Sequence, residues 1–169
     1  MRKRTIALIA ILTALLAACT EKTDYNTLLV RADSLMNLHP DSALHMLESI
    51  STDSLSTKAD RAYHALLLTQ ARDKNYMVQT DDSLIQVAVR YYDTHEDALL
   101  QARAYYYWGC VYRDMKKAEE AVTSFLTANI LAKKTKNIRL QSLICNNIGY
   151  LYYACLLYTS PSPRDKRQS

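Results

Sequence analysis

Between residues 28 and 154, apolar residues recur at intervals of three and four, and no stretch alternates as a half-buried strand would. Leu100, Ala104, Tyr107 and Val111 are separated by steps of 4, 3 and 4, and Ala121, Phe125, Ala128 and Ala132 repeat those steps. Leu140, Ile144, Ile148 and Leu151 follow with 4, 4 and 3. Each set marks one stripe of an amphipathic helix. Helix-start chemistry stands at the breaks. Thr57-Lys58-Ala59-Asp60 and Thr94-His95-Glu96-Asp97 each place a cap residue with an acid three positions later. Thr80 and Asp81 precede Ser83-Leu84-Ile85, and Pro40 with Asp41 opens a segment at Ser42. Pro40 is the sole proline of this region. The pattern predicts seven helices, at about 24–38, 41–50, 57–73, 81–92, 95–115, 118–135 and 138–154. Connections this short make neighbouring helices antiparallel hairpins.

Segments of the chain also echo one another. Tyr105, Trp108, Gly109 and Tyr112 have the spacing of Cys145, Ile148, Gly149 and Tyr152, at an offset of 40 residues. Ile85 and Ala88 echo Phe125 and Ala128 at 40, whereas Arg61-Ala62-Tyr63 echoes Arg103-Ala104-Tyr105 at 42, which implies a longer loop near Lys74–Thr80. The two glycines of the whole chain, Gly109 and Gly149, fall at the same place in their segments. A glycine inside a helix costs about 1 kcal/mol against alanine, so a close approach by a neighbour is expected where the side chain is missing.

The pattern Trp108-Gly109, Tyr112, Ala121, Phe125, Ala128 resembles the tetratricopeptide repeat. That resemblance implies an all-α fold of antiparallel helix pairs stacked as a right-handed solenoid, truncated in its last repeat, because 138–154 has no second helix. It implies that Gly109 faces Ala121 where the two helices cross, that Tyr112 and Phe125 fill the flanks, that Trp108 lies in the groove beside them, and that Ala128 admits the next pair. Gly149 and Tyr152 repeat the first-helix positions. The second pair is degenerate, with Leu66-Leu67 in place of Trp108-Gly109, and the first is recognisable through Ala43, Leu47 and Ile50. The proline usual near the end of such repeats is absent at Lys133. The strings HPDSALHMLESI, LLLTQARDKNY and DDSLIQVAVRYY are similar to those of exported tetratricopeptide lipoproteins of Bacteroides-type bacteria. Members of that group are often longer, and some continue into a membrane segment and an effector region. First helices of such stacks make a concave face suited to extended peptides. Gln101, Tyr106, Arg113 and Asn146 or Asn147 are the residues expected to line it. The other reading of the 13 tyrosines is that tyrosine is the large core residue of the family, with its hydroxyl at the edge.

The two ends alter the charge balance. In MRKRTIALIAILTALLAACT a basic start (Arg2, Lys3, Arg4) precedes the apolar run Ile6–Leu16, too short to span a bilayer, and then small residues before Cys19. Leu16-Ala17-Ala18-Cys19 resembles the bacterial lipobox, which implies a signal peptide over 1–18, a lipid on Cys19 and a tether over 19–27 ahead of the repeat domain at 28–154. Several acyl chains on one residue anchor stably, each buried CH₂ adding about 0.8 kcal/mol. From Cys155, CLLYTSPSPRDKRQS resembles translated sequencing-adapter read-through, so 155–169 is expected to be a disordered or artefactual tail. The chain holds 21 basic and 17 acidic residues. Without the three basic residues of the signal, and without Arg164, Asp165, Lys166 and Arg167 of the tail, 15 basic and 16 acidic residues remain. No basic face survives for nucleic acid, and Lys133, Lys134 and Lys136 suit a solvated helix terminus.

Candidate chemistry is sparse. His39, His45, His64 and His95 have no metal-ligand spacing to another histidine or to cysteine. His45 and Glu48 read as a surface pair, and Asp81 with Asp82 as helix-start acids. There is no glycine-rich phosphate loop and no nucleophile elbow. Cys110 and Cys145 are expected to be reduced and buried on apolar faces. No catalytic residue, cofactor or metal is assigned. The expected function is a lipid-anchored protein-binding scaffold in the periplasm or at the outer membrane, its partner a protein or peptide. The alternatives are a sensory input domain of a membrane-bound regulator and a glycan-uptake lipoprotein.

Overall fold

The computed structural model describes residues 26–159, with side chains as far as Ala154. The described residues form seven α-helices and no strand: α1 (Thr27–Leu35), α2 (Pro40–Glu48), α3 (Lys58–Lys74), α4 (Ser83–Tyr92), α5 (Ala98–Asp114), α6 (Ala118–Ala132) and α7 (Ile138–Thr159), with a 3-10 turn at Thr52–Ser54. The fold is all-α. The expected signal peptide, Cys19 and all but the end of the tether lie outside the described residues, as does the tail beyond Thr159.

Local chemistry explains where the helices begin. Thr57 Oγ1 accepts from Asp60 N at 2.9 Å, as the Thr-x-x-Asp spacing requires. The Asp60 carboxylate then reaches across the fold to accept from Asn26 N at 2.8 Å, next to the start of α1. Pro40 occupies the first turn of α2, where its missing N–H costs nothing. α5 begins three residues later than expected. Thr94 is still in the preceding turn, its hydroxyl donating to Tyr91 O at 2.9 Å, and the cap is Asp97, which accepts from Leu99 N and Leu100 N. α7 runs past Cys155 to Thr159, correcting the expected boundary at 154. Cys155-Leu156-Leu157-Tyr158 carries no breaker, and Pro161 restricts only the residue before it.

The ends of α3 and α5 are built alike. Met77 N donates to Arg72 O and Lys117 N to Tyr112 O, the 6→1 bond of a Schellman turn, with Tyr76 and Lys116 at φ 58° and 61°. These turns are 40 residues apart and use ordinary residues where glycine is usual. Their recurrence extends the sequence echo into backbone geometry.

Each helix packs on the next, and α3 also packs on α1 and α5. α3 is the central rod, with Ala62 to Ala71 buried without interruption. The crossing of α5 and α6 differs from the expectation. A Cβ on Gly109 would lie 2.6 Å from Phe125 Cε1 and 2.7 Å from Cδ1, so the close neighbour is the Phe125 ring and not Ala121. Tyr106, whose ring centre is 5.6 Å from that of Phe125, completes the crossing. Tyr112 stacks on Trp108 at 5.3 Å, and Trp108 Nε1 donates to Asp82 at 3.0 Å, so the Trp108 ring points toward the α3–α4 connection. Residues 108 and 112 are one turn apart on one face of α5, and the Lys117 amine at the start of α6 lies 5.8 Å from the centre of the Tyr112 ring. Ala121 and Ala128 are buried as expected. Gly149 and Tyr152 do not repeat the packing. Nothing described lies within 4 Å of a Cβ on Gly149, and Tyr152 is exposed, because no described helix crosses α7 there. Cys110 and Cys145 are both free, with Cys110 buried and Cys145 exposed, which corrects the expectation for Cys145.

Candidate binding cleft

Four odd-numbered helices converge on one cleft of about 210 Å³. The C-terminal end of α1 brings Asp33 to it, α3 brings Gln70 and Lys74, α5 brings Leu99, Arg103 and Tyr107, and the start of α7 brings Arg139 and Leu143. On α5 the three residues are spaced by four, which puts them on one face.

Arg103 is the fixed point of the cleft. Its guanidinium grips Asp33 through two bonds, Nη1 to Oδ2 at 3.0 Å and Nη2 to Oδ1 at 2.7 Å, and gives a third to Gln70 Oε1 at 2.7 Å. Tyr63 adds its hydroxyl to Asp33 Oδ2 at 2.7 Å. This cluster joins α1, α3 and α5. Burial alone would raise the pKa of Asp33, but hydrogen bonds and charge from Arg103 outweigh it and hold the carboxyl below the usual aspartate range. A bidentate pair of this kind orients both groups.

Lys74 and Arg139 are different. Neither makes a side-chain hydrogen bond or ion pair among the described residues. Burial pushes the Lys74 amine below its ordinary value, and the positive charges of Arg139 and Arg103 push further than Asp73 restores. Three cations therefore meet at the cleft against one lining carboxylate, Asp33, which Arg103 already holds. Leu99, Leu143 and the Tyr107 ring supply apolar wall beside them. The arrangement offers donors and positive charge to an anionic group with an apolar neighbour.

A second polar cluster continues along the same helices. Arg113 bonds Asp73 at 2.8 Å, Asp114 at 3.0 Å and Asn147 Oδ1 at 2.9 Å, and Asn147 donates to the Tyr106 hydroxyl at 3.1 Å. This accounts for most of the residues expected to line a groove. Tyr106 is buried, and Arg113 and Asn147 are spent tying α5 to α3 and α7. Gln101 points elsewhere, donating to Asp93 at the end of α4 at 3.1 Å. Asn146 is exposed on the outer side of α7. None of the five lines the cleft. Gln101, two positions from Leu99, is turned to the opposite side of α5, whereas the Tyr106 ring is packed against Phe125 and its hydroxyl accepts from Asn147. The residues that do line it were individually ordinary surface charges. The available signal was the recurrence of Asp33 at Asp73, 40 residues on, each answered by an arginine of α5.

No family model matches this chain, and no curated protein or solved structure matches it. Among the described residues, no cluster of histidine, cysteine and carboxylate could hold a metal ion, and no helix is long and apolar enough to cross a membrane.

Proposed function

We propose that this chain is a binding scaffold of the tetratricopeptide-like kind, a right-handed stack of antiparallel helix pairs held outside the cytoplasm by a lipid on Cys19. Its cleft receives an acidic stretch of a partner protein or peptide. One observation carries the reading: Lys74 and Arg139 line the cleft beside Arg103 without a hydrogen-bond or ion-pair partner among the described residues, and Asp33 is the single carboxylate in the lining. Side-by-side packing of α1, α3 and α5 supports the stack, as do the matched turns at Tyr76 and Lys116. An excess of positive charge in a walled cleft attracts anions and strengthens each contact there. The apolar wall favours a carboxylate carried on a chain over a free ion.

The test uses fluorescein-labelled peptides of one length, one rich in glutamate and leucine and one with glutamine in place of glutamate. The full chain should bind the first in a saturable, salt-sensitive manner and the second at least about tenfold more weakly. Replacing Lys74 and Arg139 together by glutamate should abolish that preference. Equal binding of the two peptides would reject the cleft as an acid-reading site. Fatty-acid labelling of cells expressing the chain and its Cys19→Ala variant tests the anchor. Undiminished label in the variant would reject it.

A further inference from the structure

The C-terminal half of α3 has a second face with a different cavity. It measures about 350 Å³ and lies beneath the connection between α3 and α4. Leu68 and Arg72 of α3, Leu84 and Ile85 of α4, and Val111 of α5 form its walls, and residues 77–80 cross over it. That volume falls at the lower end of the range of about 300–1,000 Å³ typical of small-molecule sites.

The polar groups around it are mostly committed. Thr69 Oγ1 donates to Ala65 O at 2.8 Å, and Gln79 bonds Asp114 Oδ2 through its N–H at 3.2 Å and Thr69 O through its amide at 3.4 Å. Asp81 accepts from Ser83 N at 2.9 Å and from Ser83 Oγ at 2.5 Å. Arg72 is the exception. Its Nε is buried and has no hydrogen-bond partner, and its guanidinium joins no ion pair among the described residues. A buried donor left without an acceptor is rare and needs an explanation. The planar fork of an arginine matches a carboxylate. Leu68, Leu84, Ile85 and Val111 supply the aliphatic part of the wall.

We propose that this cavity binds a small aliphatic carboxylate, its carboxylate on Arg72 and its hydrocarbon body against Leu68, Leu84, Ile85 and Val111. The site is separate from the cleft of Lys74 and Arg139, and the proposal does not depend on that cleft's ligand. Two sources share this chemistry, a short fatty acid and an aliphatic amino acid. They differ in the α-ammonium group, for which Asp81 is the nearest lining acid in sequence to the cavity's rim.

The experiment is a titration of the full chain, by calorimetry and ligand-observed magnetic resonance, with 4-methylpentanoate, with leucine and with uncharged 4-methylpentanamide. The acid, leucine or both should bind saturably, and the amide at least about tenfold more weakly. Arg72→Gln should weaken acid binding by about tenfold or more, and Arg72→Lys should retain part of it. Tighter binding of leucine than of the acid assigns the amino acid as the natural class, and the reverse assigns the fatty acid. Leu84→Trp, which fills the cavity from a half-buried position, should block binding while leaving Arg72 in place. Should the Arg72 variants fail to fold, the acid–amide comparison on the unaltered chain and the Leu84→Trp result still decide. Equal affinity for acid and amide, unchanged binding in Arg72→Gln or Leu84→Trp, or no saturable binding of either carboxylate overturns the proposal.

Discussion

The Phe125 ring occupies the space that a side chain on Gly109 would need. Its Cε1, Cδ1 and Cζ atoms lie 2.6, 2.7 and 3.0 Å from the place of the missing Cβ. Phe125 is fully buried, with Tyr106 close by, so the ring has little room to retreat. Alanine at 109 would gain up to about 1 kcal/mol of helix propensity and would incur overpacking of about 1–3 kcal/mol. Gly109→Ala should therefore destabilise the chain by about 1–2 kcal/mol net in urea unfolding. Gly149→Ala meets open space in mid-helix and should stabilise by about 0.5–1 kcal/mol. The paired measurement separates packing from propensity, and equal effects at the two glycines would contradict the crossing described here.

The Asp33–Arg103 pair predicts a dependence on acidity. Asp33→Asn removes the charge and one of the two acceptors facing the guanidinium, in a site where the Asp33 and Arg103 side chains are 27% and 15% exposed. The expected loss is about 2–3 kcal/mol at pH 6, below the range for fully buried pairs because some water reaches Asp33. The folded chain holds the Asp33 proton less tightly than the unfolded chain. The pair's contribution is thus fully present above the unfolded value of about 3.9 and is lost as the pH falls through the lower folded value. Unfolding midpoints of the parent and variant should differ most at pH 6 and converge below about pH 4. A gap that persists unchanged at pH 3 would show that charge is not its source.

Helix number and type were legible in the sequence because the apolar stripes are long and the caps use ordinary chemistry. Thr57 with Asp60 and Pro40 worked as their spacing promised. Thr94 with Asp97 has the same spacing, yet the second residue became the cap, since a sequence shows which groups could cap and not which backbone turn they close. Gly109 announced a close approach correctly. The identity of the approaching side chain depended on the phase of α6 against α5, which periodicity leaves open. The cleft was the least legible part. Asp33, Lys74, Arg103 and Arg139 come from four helices and up to 106 residues apart, and each alone is an unremarkable charge. Tyrosines drew the eye instead, although Tyr106 and Tyr107 are core residues whose hydroxyls burial keeps protonated.

Cys110 and Cys145 should report folding. Burial raises the Cys110 thiol above its ordinary value, with Asp73 adding to the shift, while Cys145 is exposed on α7. The thiolate is the reactive form. At neutral pH, peptide mapping after brief alkylation of the folded chain should find Cys145 modified and Cys110 untouched. In urea the Cys110 rate should rise in step with the loss of helical circular dichroism. Equal rates for the two in the folded state would contradict the burial of α5 against α6.

Lys74 connects the cleft to the stability of the chain. Its amine lies among like charges, and its folded pKa is displaced below the unfolded value of about 10.4. The folded state consequently binds that proton less well, so the charged lysine opposes folding at pH 7 and the penalty fades as the pH rises past the amine's titration. The group is partly exposed, so solvent screens it and the effect is small. Lys74→Gln should stabilise the chain by a few tenths of a kcal/mol at pH 7, and the gain should vanish near pH 11. The same substitution should weaken binding of the glutamate-rich peptide, since removing an unpaired cation from an anion site trades recognition for stability. Both readings come from one variant in two assays. If Lys74→Gln loses stability at pH 7, the aliphatic stem of the lysine outweighs the crowding of charge, and the cleft is not an electrostatically strained site.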